Sequence, residues 1–186
     1  MQTKGVKYKM KRILLILIVL SVVFIICSCD AYTEVTISDI ALYNDIWELP
    51  DRRMVDTSKL FPNSIDKNEC IKFNCAYTTM LLGTRWQIEL AIKYDSNSFE
   101  AEKSRLSEMC ENSIVCGESK YFDSLAFATV WNLNSCFEYA LCDEVNCTIT
   151  YIYLELNYKD DLTIDSAYIP KNYELDMENT PQFSIY

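Results

Sequence analysis

Between residues 70 and 94 apolar and polar side chains alternate with a period of two. Ile71, Phe73, Cys75 and Tyr77 are set against Lys72, Asn74, Ala76 and Thr78. After Leu82-Gly83-Thr84 a second run sets Trp86, Ile88, Leu90, Ile92 and Tyr94 against Arg85, Gln87, Glu89 and Lys93. That period marks strands with one face in the core, so the segment is expected to be a β-hairpin with one buried face. Leu125–Trp131 and Ser135–Cys142 predict two more strands, and Cys147–Leu156, rich in Thr, Ile and Tyr, a fifth. In this last run Ile149, Tyr151 and Tyr153 hold one parity while Ile152 and Leu154 hold the other. Apolar residues on both parities predict a strand buried on both faces, hence a central one.

Elsewhere the period lengthens. Ser38 can cap a helix whose Ile40, Leu42, Ile46 and Leu49 fall near one face, with Pro50 ending it. Asn97 and Glu100 have capping-box spacing and predict a second helix through Cys110. Phe99, Leu106 and Met109 would face the sheet, and Glu102, Lys103, Arg105 and Glu108 would face water. Residues 50–68 and 111–120 read as loops, with Gly117 free to take a left-handed conformation. Residues 157–173 read as an extended arm and 174–186 as an acidic tail. The expectation is an α+β fold, an antiparallel sheet of about five strands with two helices, forming a single domain over 38–173.

The first thirty residues follow a different logic. Lys4, Lys7, Lys9, Lys11 and Arg12 open the chain without an acid, and Ile13–Ile26 is then apolar apart from Ser21. A basic start, a short apolar run and a small-residue exit make a secretory signal peptide. The run is short against the roughly 20 residues a membrane-spanning helix needs. Its exit, Ile26-Cys27-Ser28-Cys29, resembles the lipobox of bacterial lipoproteins, and the chain resembles the small lipoproteins of Gram-positive-type membranes. The resemblance implies that residues 1–28 are removed and that Cys29 becomes the first mature residue, carrying a diacylglyceryl thioether and further acylated with fatty acids such as palmitate. Residues 29–37 would be the lipid-anchored tether. Location would then be the extracytoplasmic face of the cell membrane, held through the lipid on Cys29.

Removing 1–28 changes the charge. The whole chain carries 17 basic and 27 acidic residues; the mature part keeps 12 basic and all 27 acids, a net charge of −15. Such a surface repels phosphates, so nucleic acid is not an expected partner. The absence of histidine excludes a Ser-His-Asp triad, a Cys-His dyad and imidazole zinc ligation. Three scattered glycines make no phosphate-cradling loop. No cofactor is expected.

Seven cysteines remain after Cys27 and Cys29 are set aside. Export permits disulfides, and an odd number leaves at least one thiol free. Cys142 and Cys147 flank four residues and would face each other in a simple hairpin register. Cys110 and Cys116 bracket a short loop and form the second candidate pair. Their spacings supply no C-x2-C knuckle for zinc. Among the carboxylates, Asp143-Glu144 and Asp160-Asp161 with Asp165 are candidate calcium or acid-base groups, and Asp95-Ser96-Asn97-Ser98 opens like a calcium loop without its sixth-place glycine. Their plainer assignment is to helix caps and solvated turns. The function expected is that of a non-catalytic binding or interaction domain with a protein or glycan partner at the cell surface. The alternative is a cell-envelope hydrolase using carboxylates or a Ser-Lys pair such as Ser119 and Lys120.

Overall fold

A computed structural model describes residues 33–48, 60–80, 83–111, 113, 115–133, 136–155, 161–171 and 173. Residues 1–28, expected to be a signal peptide, Cys29 and the tail 174–186 lie outside these residues. The strands are β1 (Thr33–Ile37), β2 (Cys70–Met80), β3 (Gly83–Lys93), β4 (Cys116–Gly117), β5 (Leu125–Leu133), β6 (Cys136–Asp143) and β7 (Thr148–Glu155), with one α-helix among the described residues, α1 (Ser96–Met109). They form one seven-stranded sheet in the order β1-β2-β3-β7-β6-β5-β4, and every neighbouring pair is antiparallel.

The architecture is therefore mostly β, which corrects the expected α+β fold of about five strands and two helices. Two strands were hidden by their surroundings. Thr33–Ile37, expected in the tether, pairs along β2 as an edge strand. Cys116–Gly117 is only two residues long and pairs with Phe127 and Ala126, with Gly117 at φ +93° supplying the left-handed turn. One helix is missing. Residues 40–42 and 45–48 are two short 3₁₀ turns. Tyr43, the C-cap of the first turn, and Ile46 in the second are buried three residues apart, the 3₁₀ period, whereas Leu42 is exposed.

The hairpin β2–β3 registers Tyr77 opposite Trp86, Cys75 opposite Ile88 and Phe73 opposite Leu90. Tyr77 and Trp86 stack with ring centroids 4.6 Å apart, a cross-strand aromatic pair. The alternation fails at Ile71. A register shift between Cys70 and Lys72 turns Ile71 outward, 59% exposed, as a bulge does by adding a residue to one strand. The expectation of a single buried face also fails on β3, where Gln87 and Glu89 are buried.

Both sheet faces are in fact covered. On one, α1 places Phe99, Leu106 and Cys110 against Ile88, Leu90 and Tyr151. On the other, Val115, Phe122, Ile164 and Tyr173 pack on Tyr139 and Ile152. We call these the helix face and the arm face. β7 is the fourth of seven strands, and its apolar residues on both parities feed both layers. Lys171 N donates to Tyr121 O at 2.8 Å, tying the 161–173 arm to the 118–124 loop.

The helix starts earlier than its capping-box spacing suggests. Asp95 is the N-cap, its carboxylate accepting from Asn97 N and Ser98 N. Aspartate in extended backbone offers its acceptor to two free N–H groups at once, so it takes the position ahead of Asn97. Phe99 and Leu106 meet the sheet as expected, and one position differs. Met109 is exposed and Cys110 takes the buried place.

Candidate functional site

Two features concentrate polar chemistry. The first is a network between α1 and the helix face. Arg105 forks onto Glu102, Nε to Oε2 at 2.7 Å and Nη2 to Oε1 at 2.5 Å. Nη2 also donates to Leu60 O at 2.5 Å, and Leu60 N donates to Glu138 Oε1 at 3.1 Å. The other Glu138 oxygen accepts from the Thr129 hydroxyl. Tyr151 donates to Glu102 at 2.6 Å. With that proton committed, Tyr94 is the donor in its 2.8 Å contact with Tyr151. Burial pushes both phenols well above their ordinary range. The network holds the helix to the sheet by charge-assisted bonds in a partly buried setting.

Other deep carboxylates are less fully engaged, and Glu89 accepts no hydrogen bond from the described residues. Tyr153 donates to Glu155 at 2.8 Å. Glu89 pairs with the Lys72 ammonium at 2.8 Å.

The second feature is a groove of about 780 Å³ on the arm face. It lies where the 118–124 loop, the β6–β7 turn and the 3₁₀ turn Ser166–Tyr168 meet over the ends of β5, β6 and β7. A smaller recess of about 570 Å³ adjoins it, with Phe122, Asp123 and Ala167 common to both. Volumes of this size suit small organic ligands. The larger groove is walled by Glu118, Asp123, Asp143 and Glu144, with Phe122 and Leu141 supplying apolar surface. Asp143 accepts from Val145 N, Asn146 N and Asn146 Nδ2. The bond from the Asn146 side chain, with those from the backbone, lowers its carboxyl below the ordinary range.

The residues singled out in the sequence are mostly used for structure. Cys142 faces Ile149 instead of Cys147. The turn occupies 144–147, and Cys147 stands in it at φ 51°, because Asp143 caps the turn from the strand end. The simple register was one residue out. Cys110 is buried and Cys116 exposed, and no disulfide joins any of the seven described cysteines. Cys110 N donates to Ser107 O, and Cys116 Sγ lies 3.8 Å from the same carbonyl, so these two do meet at the end of α1. Burial pushes the Cys110 and Cys142 thiols up to about 12.

Ser119 and Lys120 go separate ways. The Ser119 hydroxyl accepts from Tyr121 N at 3.2 Å, and Lys120 lies over the Tyr121 ring. Asp161 pairs with Arg85 and Asp165 caps a 3₁₀ turn; Asp160 and Cys29 lie outside the described residues. Among the described residues no group of three His, Cys, Asp or Glu is placed to hold a metal ion, and no helix is long and apolar enough to cross a membrane.

Sequence reasoning missed Glu138 and the groove residues Phe122, Thr150 and Tyr168. Glu138 had a signal: a lone acid inside Cys136-Phe137-Glu138-Tyr139-Ala140, a run otherwise too apolar for a solvent face. The groove had none, since its walls come from three separate connections. No family model, curated protein or solved structure matches the chain.

Proposed function

We propose that this chain is a lipid-anchored extracytoplasmic protein whose domain binds a ligand or partner at the cell surface without transforming it. The anchor rests on the lipobox-like exit at Cys29, and the binding role on one observation about the fold. Of the deep carboxylates, Glu102, Glu138 and Glu155 are engaged by internal donors and Glu89 is paired with the half-exposed Lys72, while the open groove on the arm face presents concave, mixed polar and apolar surface. Acids held this way orient and stabilise secondary structure. The divergence of Ser119 and Lys120 gives no support to a Ser-Lys hydrolase.

The test has two arms. Fatty-acid labelling of wild type and Cys29→Ser is expected to lose the label in the variant; label persisting there removes the anchor. The full chain in zwitterionic nanodiscs is then screened by thermal shift against cell-wall glycans, short peptides, amines and carboxylates. A ligand present at 100 times its Kd adds about 2.7 kcal/mol, which raises Tm by several degrees in a domain of this size. Turnover of a cell-wall substrate that Ser119→Ala or an Asp123→Asn variant abolishes would overturn the non-catalytic reading.

A further inference from the structure

We infer that the end of the sheet where β1 begins is a contact surface for the phospholipid bilayer, with the strands standing away from it. This rests on reading Cys29 as the point of lipid attachment and names the surface that meets the membrane. Three observations converge. The first is a length. Four residues lead from Cys29 to Thr33, the first residue of β1, and four residues span at most about 14 Å. An anchor at Cys29 therefore keeps the Thr33 end of the sheet within that reach of the lipid.

The second is register. Thr33 lies opposite Thr79, and Thr79 opposite Thr84, so β1, β2 and β3 share this end. Close behind, Trp86, Glu155, Cys136 and Leu133 pair in turn across β3, β7, β6 and β5. From β1 to β5 there are five strand spacings, a front about 24 Å wide. At the other end Lys93 and Asp143 each pair with Thr148. Along β3, Lys93 lies nine residues beyond Thr84, or about 30 Å. The arm-face groove lies over that outer end, facing the medium instead of the lipid.

The third is charge. The Thr33–Thr79–Thr84 row carries none, and the row behind it holds Glu34 and the Arg85–Asp161 ion pair. Thr33 and Thr79 are exposed, and their hydroxyls can donate to phosphate and ester oxygens. The register also brings Met80, Trp131 and Leu133 to this end, and tryptophan is enriched at headgroup level. The outer end instead exposes Asp66, Lys67, Lys93, Asp95, Asp143 and Glu144, and α1 exposes Glu100 and Glu108 along its length. A membrane containing anionic lipid repels acids within about a Debye length of its surface. With the tether this short, the threonine row is the surface that approaches such a membrane with the least repulsion.

Paramagnetic relaxation tests this. The lipidated chain, isotope-labelled, is placed in phosphatidylcholine–phosphatidylglycerol nanodiscs doped with a gadolinium-chelate lipid, whose effect on amide signals falls steeply with distance. Relaxation enhancement at the Thr33, Thr79 and Thr84 amides is expected to exceed that at Lys93, Asp143 and Val145 by at least about tenfold, given some 30 Å between the two ends. Thr79→Glu puts an acid into the neutral row. It should lower the enhancement at Thr33 severalfold in these discs and leave it unchanged in phosphatidylcholine alone, with Tm within about 2 °C of wild type. Val145→Glu, on a residue 92% exposed at the outer turn, should change neither.

Equal enhancement at the two ends, or the larger one at the outer end, overturns the orientation; where fatty-acid labelling shows the same chain to be acylated at Cys29, the anchor stands. Enhancement at Thr33 that Thr79→Glu leaves unchanged in the anionic discs overturns the threonine row as the contact surface. Label persisting on Cys29→Ser removes the anchor itself, and the inference with it.

Discussion

The backbone N–H of Leu60 donates to the carboxylate of Glu138 across 3.1 Å and 78 positions of sequence. Leu60 O accepts from Arg105 of α1. One residue of the segment leading into β2 thus joins the sheet to the helix, and a fully buried charge on β6 has its acceptors filled by backbone and by Thr129. Removing either partner leaves the other polar group buried, which is more destabilising than the bond alone is stabilising.

Glu138→Ala is accordingly expected to destabilise the domain by about 3 kcal/mol, because two donors lose a charged acceptor at a site with no access to water. Glu138→Gln keeps one carbonyl acceptor and should lose roughly half as much. Urea midpoints with unchanged slopes would report both values. Equal losses in the two variants would count against the network.

Ile71 and Phe73 stand two apart on β2, and alternation alone would bury both. The bulge separates them, leaving Ile71 59% exposed and Phe73 6%. Ile71→Thr should change stability by less than about 0.5 kcal/mol, whereas Phe73→Ala should remove about 3–5 kcal/mol. A large loss at Ile71 in chemical denaturation would refute the bulged register.

Asp95 caps α1, and its bonds from Ser98 and Asn97 hold the carboxyl below its ordinary value. A depressed folded value stabilises the native state above the unfolded value of 3.8. That contribution disappears as pH falls through the folded value. Wild type should therefore unfold at higher urea than Asp95→Ala at pH 6, with the gap closing as pH drops below about 3.8. Asn97→Ala should show no such gap, since its side chain is not the cap. Melting curves of the three chains between pH 2.5 and 6 decide it.

Thiol reactivity follows burial. Cys116 is exposed, while Cys75, Cys110, Cys136 and Cys142 are buried. In the reduced, folded chain Cys116 should react first with a disulfide reagent, and the buried four only on unfolding. Cys116→Ser should remove the fastest phase. If Cys110 and Cys116 become bridged under oxidising conditions, that phase should be missing until reductant is added. Peptide mapping under non-reducing conditions distinguishes the two states.

Much of the sheet was legible in the chain. The alternation at Phe73, Cys75 and Tyr77 and at Trp86, Ile88 and Leu90 is a local property, set by which side chains a half-buried strand can tolerate. The double-sided apolar run of Ile149–Leu154 marked the central strand for the same reason. What failed were features decided by partners distant in sequence. Thr33–Ile37 is a strand because β2 offers it an open edge, and nothing in Thr-Glu-Val-Thr-Ile says that edge exists. Glu89 and Gln87 look solvated by type. Gln87 is buried where the arm crosses it, its Nε2 donating to Asp161 O at 2.8 Å, and Glu89 is buried beside Lys72 of the neighbouring strand. The turn after Asp143 slipped by one residue because side-chain capping, which spacing cannot register, chose where the strand stopped.

By itself the sequence determined the signal-like start, the strong negative charge, the exclusion of imidazole chemistry and the β-rich middle of the chain. Each follows from composition or from short-range periodicity. Only the tertiary structure decided the seven-strand order, the covering of both sheet faces, the Arg105–Leu60–Glu138 link and the groove that Thr150 lines. Those depend on bringing Ser119, Thr150 and Tyr168 together from three separate connections and strands. The burial of one segment by another is a property of the folded chain, to which no local pattern is sensitive.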